Sequence, residues 1–466
     1  MPGFRALLSL MMLALSVGCA GSHAAVRGPS QLSLAGRVLY EHYEAPRVAD
    51  DGTQIGGGLP LSIALDDEGN AWVLGEFHTE LQLVSVLDSV LATRQIRIPL
   101  HPKARPFTDR HGGPTQNSML GESVIVDGRG HIWLSQGGGY LVREGTNHSR
   151  VVSYDPRSGT FRAYNLPGNR NEAMGLLWDE PRGLIWVAES GMFADRGDIP
   201  SGPSDETGEA GALLAFDPET VPHDNDFLWD RPLDEMLCTE PSPVPRGCFA
   251  RYTLPHGASA PAQLVGDASG SIWFTLFWSE AIGRLDPETG EVLVYPLAAG
   301  VGTDPRAKAV GPGPWDIALS PDGEYLVWSE FFDSTISRLP LARALDPACR
   351  SLRDGSNPCV EQMRVPGADL GSQSVHSIAF DGFGNLWFTQ FSFPVTPGAP
   401  NSIGFVTADW SRIELLDPLE VSPDGEASYA GIAIDQRTGD IWVAAFLPPG
   451  VGRLRPVERD VDPASW

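Results

Sequence analysis

The side chains in this sequence that could do chemistry fall into three groups. The first is a histidine with acidic residues at recurring places: His376, Glu330, Glu122 and Glu189. An imidazole titrates near neutral pH and can act as a general base, and a carboxylate beside it would orient it or hold a cation. His376 has no carboxylate in its own hairpin, so it also reads as a plain polar lining residue, with Glu330 of the neighbouring unit as its catalytic partner across a channel. Glu122 and Glu189 read either as ligand or metal groups or as hydrogen-bonded rim residues. The second group is basic: Lys103, Arg105, Arg110 and His111 in one segment, Arg306 and Lys308 in another. These would hold a carboxylate or sulfate of a ligand, or neutralise part of an acidic surface. The third group, Asp195, Asp198, Asp205, Glu206 and Glu209, offers the hard oxygens that Ca²⁺ takes, at a spacing that fits no EF-hand or RTX loop.

A repeat must position these groups. One phrase recurs seven times: SIALDDEGNAW, VIVDGRGHIW, LLWDEPRGLIW, LVGDASGSIWF, IALSPDGEYLVW, SIAFDGFGNLWF and IAIDQRTGDIW. Each copy is a short apolar strand, an Asp- or Gly-rich turn and a second apolar strand, too small to bury its own face, so neighbouring copies must stack. The fourth copy continues as AIGRLDPETG and EVLVYPL, which makes four antiparallel strands, a to d. The pattern predicts an all-β, seven-bladed β-propeller over residues 35–457. Its last unit lacks a d strand; GRVLYEHYEAP near the other end of the chain supplies one and closes the ring. Trp72, Trp133, Trp186, Trp273, Trp387 and Trp442 recur at one position and should pack between blades.

In such a blade strand a leaves one face of the ring beside the central channel and strand b returns to it. Counting equally from the turn pairs His376 with Gln390, Leu61 with Gly75, Glu122 with Gln136, Met174 with Glu189, Ala262 with Leu276, Trp315 with Glu330, and Ala430 with Ala445. Blade-specific chemistry should come from these positions at the channel mouth, under loops at 102–118, 137–149 and 191–211. The candidate ligand-binding residues are Glu122, Glu189, Trp315, Gln390, Arg105 and Arg110.

Composition limits the partners. A formal net charge of −26 and a pI near 4.7 argue against nucleic acid and against adsorption to an anionic membrane. A small molecule or a protein is the expected partner, and the body reads as a monomer. The first residues carry Arg5, an apolar run from Ala6 to Val17, and then Gly18 and Cys19, a secretory signal (1–19) with a lipobox-like end. Cys19 would carry a lipid, with 20–34 as a flexible tether, 458–466 as a tail, and the outer membrane, periplasm or exterior as the location. An ordinary cleaved signal peptide is the alternative. Cys238 with Cys248, and Cys349 with Cys359, form two equally spaced pairs that read as local disulfides in c–d insertions.

GSIWFTLFWSEAIGRLDPETGEVLVYPL and GNLWFTQFSFPVTPGAPNSIGFV resemble the units of the virginiamycin B (streptogramin B) lyase family of seven-bladed propellers. The resemblance covers the repeat through most of the chain. It implies a carbon–oxygen lyase in which two Glu and two His surround a Mg²⁺ site. Carried over position by position, the catalytic His falls on His376, the Glu before it on Ser374, the Glu after the Trp on Gln390 and the second His on Trp315. Mg²⁺ as cofactor is therefore an implication of the resemblance alone, and three of its four positions carry other residues. Two functions are expected: a lipid-anchored propeller binding a small molecule or partner at the channel mouth, or an active lyase or hydrolase using His376 and nearby carboxylates on a cyclic depsipeptide, ester or lactone.

Overall fold

The computed structural model describes residues 30–34, 38–44, 59–76, 80–87, 90–99, 107–108, 114–115, 119–138, 149–167, 172–190, 211–223, 236–255, 260–297, 313–332, 334–366, 373–392, 403–416, 428–447 and 449–456. Over these residues the chain forms six four-stranded antiparallel sheets and one of five strands, besides a minor two-stranded ladder. The inner (a) strands of blades 1 to 7 are Leu59–Leu65, Met119–Val126, Glu172–Asp179, Pro261–Gly266, Pro314–Leu319, Gln373–Phe380 and Ser428–Ile434. Each packs against the inner strand of the next blade, and the seventh packs against the first, which closes a ring.

The turn between strands a and b shows why the phrase repeats. In blades 1, 2, 4 and 6 the turn aspartate accepts bonds from the amides two and four residues on, which pins the turn. Its second oxygen takes the indole N–H of the repeated tryptophan, as in Trp72 to Asp66 (2.9 Å), Trp273 to Asp267 (2.7 Å) and Trp387 to Asp381 (2.9 Å). The six repeated tryptophans are at most 3% exposed. Each such ring removes roughly 150–250 Å² from water, about 4–6 kcal/mol at ~25 cal/mol per Å². Blade 5 departs: Ser320 stands at the turn, and Trp328 bonds Glu330 in its own strand.

The ends meet in blade 7. Val38–Glu44 pairs with Gly450–Pro456 from Val38 opposite Pro456 to Glu44 opposite Gly450, so the N-terminal strand supplies the missing d strand. Ser30–Leu34 adds a fifth, outermost strand. The tether expected over 20–34 is thus shortened, its last residues being sheet. Both disulfides, Cys238–Cys248 and Cys349–Cys359, lie in c–d insertions. They fit an oxidising compartment. Among the described residues no helix is long and apolar enough to cross a membrane; residues 1–29, which hold the expected signal and Cys19, lie outside them.

Candidate functional site at the central channel

Pairing between strands a and b differs by one residue from the count made from the turn. Gln390 faces Val375, not His376; Gln136 faces Gly121, Glu189 faces Ala173 and Glu330 faces Pro314. The other three expected pairs shift likewise: Gly75 faces Pro60, Leu276 faces Pro261 and Ala445 faces Tyr429. Every inner strand carries one extra residue near the mouth, a bulge that bends the strand and re-aims its side chains. The residues in it are Leu61, Glu122, Met174, Ala262, Trp315, His376 and Ala430, each followed by Ser62, Ser123, Gly175, Gln263, Asp316, Ser377 or Gly431.

The bulges are stitched together by hydroxyls. Thr275, Ser329 and Thr389 of strand b each accept the amide of the second bulge residue in their own blade, at 3.0, 3.0 and 3.2 Å. Each then donates to the carbonyl of the first bulge residue one blade on, namely Trp315, His376 and Ala430. Gly175 and Gly431 stand where blades approach closely: a Cβ there would lie 2.3 Å from the Ala262 carbonyl and 2.8 Å from that of Leu61. Asp316 spans blades 5 and 6, accepting from Ser377 Oγ at 2.7 Å and from the Ile378 amide at 2.9 Å. Burial pushes its carboxyl up, and these bonds with one from the Ile317 amide pull against that.

A cavity of about 220 Å³ lies on the ring axis and takes lining from all seven blades. Glu122, Trp315 and His376 line it, as expected of mouth residues, together with Ser62, Ser123, Gln263, Asp316 and Ser377. Counting from the turn singled out only the first bulge position, so these polar second positions went unseen. Aliphatic residues such as Ile63, Leu176, Leu264, Ile378 and Ile432 complete the wall.

The other predicted residues are turned into the blades. Glu330, 0% exposed, accepts from Ser337 Oγ at 2.6 Å and from Gln362 Nε2 at 3.2 Å, both in its own sheet. It also accepts from Trp328 Nε1 at 3.2 Å in its own strand and does not line the cavity beside His376. Glu189 pairs with Arg251 at 2.9 Å within blade 3, and Gln390 is fully buried. These three follow strand b, whose register differs by one from that of the residues they were matched with. Arg105 and Arg110 lie outside the described residues, as do the rest of the basic cluster and the acidic group at 195–209.

His376 sits among rings. Trp315 is 5.4 Å away, Phe391 5.4 Å and Phe331 6.2 Å between centroids. The cluster continues through Phe277, Trp278 and Phe332, so among the described residues it belongs to blades 4 to 6 and breaks the sevenfold pattern. The imidazole Nδ1 lies 3.2 Å from the Ala430 carbonyl. A carbonyl only accepts, so Nδ1 carries the proton and the neutral ring keeps its lone pair on Nε2. Desolvation lowers the His376 pKa to about 4, so it is neutral at physiological pH.

Residues in these positions do not suit Mg²⁺. It takes hard oxygen ligands, usually one or two carboxylates; here the corresponding places hold Ser374, Gln390 and Trp315, and aromatic rings surround the one matching histidine. Among the described residues, His376, Glu122 and Asp316 do not converge as a three-ligand set; the one such grouping is Asp346 with Cys349 and Cys359, whose sulfurs are tied in a disulfide.

No family model and no curated protein sequence matches this chain. Solved structures do. A streptogramin B lyase is 17% identical, with 90% of this chain and 98% of that one covered at a TM-score of 0.57. A catalytically inactive virginiamycin B lyase from Staphylococcus aureus, solved with quinupristin, is 17% identical over 90% and 99% at 0.55. A chain of the mitotic checkpoint complex, 13% identical over 94% and 97%, reaches 0.51. The likeness is one of fold. The streptogramin-lyase-like propeller expected from the repeat is the architecture found, and propellers with different roles share it.

Proposed function

We propose that this protein is a binding propeller that captures a small molecule or partner at its channel mouth and does not carry out Mg²⁺-dependent elimination. The observation behind this reading is the surroundings of His376: a neutral imidazole fixed through Nδ1 and enclosed by Trp315, Phe331 and Phe391, with Ser374 and Gln390 where cation-holding carboxylates would be needed. A recess with a few convergent polar groups set among aliphatic side chains is suited to ligand capture. An elimination would need a base aimed at the substrate and a stabiliser for the developing charge. We place the protein outside the cytoplasm, tethered through a lipidated Cys19, a reading supported by the N-terminal sequence and the two disulfides.

Incubation with a streptogramin B depsipeptide and Mg²⁺, followed by mass spectrometry, should return the cyclic substrate unchanged. Linearisation that EDTA abolishes would defeat the binding reading and restore the lyase. In the same expression strain, Cys19→Ser should move the protein from the membrane fraction to the soluble one; an unchanged distribution would remove the lipid tether.

A further inference from the structure

Much of the polar lining of the central cavity is already committed to the joints between blades. Asp316 accepts from the Ser377 hydroxyl and from the amides of Ile317 and Ile378, and Ser62 Oγ accepts the Val124 amide at 3.1 Å. His376 is different. It is 6% exposed and lines the cavity, its Nδ1 is spent on the Ala430 carbonyl, and among the described residues its Nε2 has no hydrogen-bond partner. With the proton on Nδ1, Nε2 holds a lone pair and no hydrogen, so it can accept and cannot donate. A buried acceptor left unpaired is costly, and a guest that brings a donor removes the cost. Gln263, also in the lining, carries both a donor and an acceptor on its amide and so selects for neither. The rest of the wall sets the guest's body. The Trp315 ring stands 5.4 Å from that of His376, and Ile63, Leu176 and Leu264 add aliphatic surface. Such a wall favours a compact apolar body, and a charged guest would have to shed its water against it at a cost that a hydroxyl does not meet. The cavity, at about 220 Å³, is smaller than the roughly 300–1,000 Å³ that houses drug-sized ligands, so the guest is small.

From this we infer that the central cavity binds a small, uncharged ring compound bearing a hydroxyl group, whose O–H donates to His376 Nε2 and whose ring lies against Trp315. The inference rests on the binding function proposed above and names the ligand class of that site. His376 has only to stay neutral, and desolvation among the surrounding rings favours that form. Selection then works through the direction of one hydrogen bond. A guest of the same shape that cannot donate leaves Nε2 unpaired, which is how a site built around a hydroxyl rejects the analogue lacking it.

Phenol and toluene have nearly the same shape, differ in the donor, and test this directly, toluene being the more hydrophobic of the two. In calorimetric titrations of the full chain, phenol should bind about tenfold more tightly, the worth of one enclosed hydrogen bond. His376→Phe keeps a ring and deletes the acceptor, and it should abolish that preference or reverse it. Trp315→Leu should weaken both probes alike, by about fivefold, with thermal melting recorded to show that each variant is folded. Toluene binding as tightly as phenol to the unaltered protein would overturn the donor assignment without recourse to any variant. A phenol preference that survives in a folded His376→Phe variant would take the hydroxyl away from His376, and unchanged affinities in Trp315→Leu would take the ring away from Trp315. Failure of both probes to bind at millimolar concentration would overturn the ligand class, whereas failure of the binding function itself is read in the EDTA-sensitive depsipeptide assay.

Discussion

At the scale of single residues, burial among aromatic rings favours the uncharged form of His376 near neutral pH. Desolvation lowers its pKa to about 4, and the same cause acts on His42 in the closing strand, also to about 4. In the unfolded chain both return to about 6.5, so between pH 6.5 and 4 the unfolded state binds the extra protons. Stability from each is therefore complete above about pH 6.5 and is lost as pH falls toward 4, at about 1.4 kcal/mol per pH unit. Urea unfolding from pH 7 to 4.5 should show this slope, and His376→Phe should remove one proton's share of it. A slope identical in wild type and variant would mean that His376 titrates normally. The histidine itself was legible from its place in the repeat; its neutrality was not, because the rings that enclose it come from its own blade and the one before it.

At the scale of strands and turns, what could be read in the sequence was whatever recurs with a fixed spacing. Asp381 and Trp387 sit six residues apart because the carboxylate must span the turn to reach the indole, and Asp66 with Trp72 shows the same span. The paired cysteines were legible for a similar reason, being local. The bulge was not. Counting from a turn assumes one residue opposite one, and in strands buried on both faces hydrophobic alternation does not reveal an inserted residue. Its trace lay in the hydroxyls at Ser135, Thr275, Ser329 and Thr389, buried polar groups at one position of the b strands that need partners. The partners are the bulge amides and, for the last three, the next blade's carbonyls. Thr389→Val removes a hydroxyl that serves the Ser377 amide and the Ala430 carbonyl at once. It should cost about 2 kcal/mol in chemical denaturation, because two buried groups lose a partner. A loss under about 0.5 kcal/mol would show that the hydroxyl bridge adds little to the joint between blades.

At the scale of the whole molecule, the ring is held shut by charge as well as by backbone pairing. Glu41 in the N-terminal strand is 4% exposed; it pairs with Arg455 and lies 4.0 Å from Arg453, both in the C-terminal strand, while Tyr43 donates to it at 2.6 Å. Removing Glu41 takes the carboxylate from the part-exposed Arg455 and leaves Arg453 with Asp440, which costs about 3 kcal/mol, the low end for breaking a buried set. Glu41→Ala should lower stability by that order, whereas the exposed Arg129–Glu219 pair should contribute under about 1 kcal/mol. Equal effects at the two sites, measured by denaturant unfolding, would mean that backbone pairing alone holds the ring. The joint has a further consequence in time. Residues 38–44 leave the ribosome well before their partners at 450–456. The seventh blade must wait for Gly450–Pro456, so the earlier segment stays unclaimed until residue 456 has been made. A chain cut short before residue 450 would leave both the Val38–Glu44 strand and the edge of Ile441–Leu447 without their mates. Open edges of that kind recruit other strands, so the closing joint leaves unfinished copies with two sticky edges that finished ones have paired.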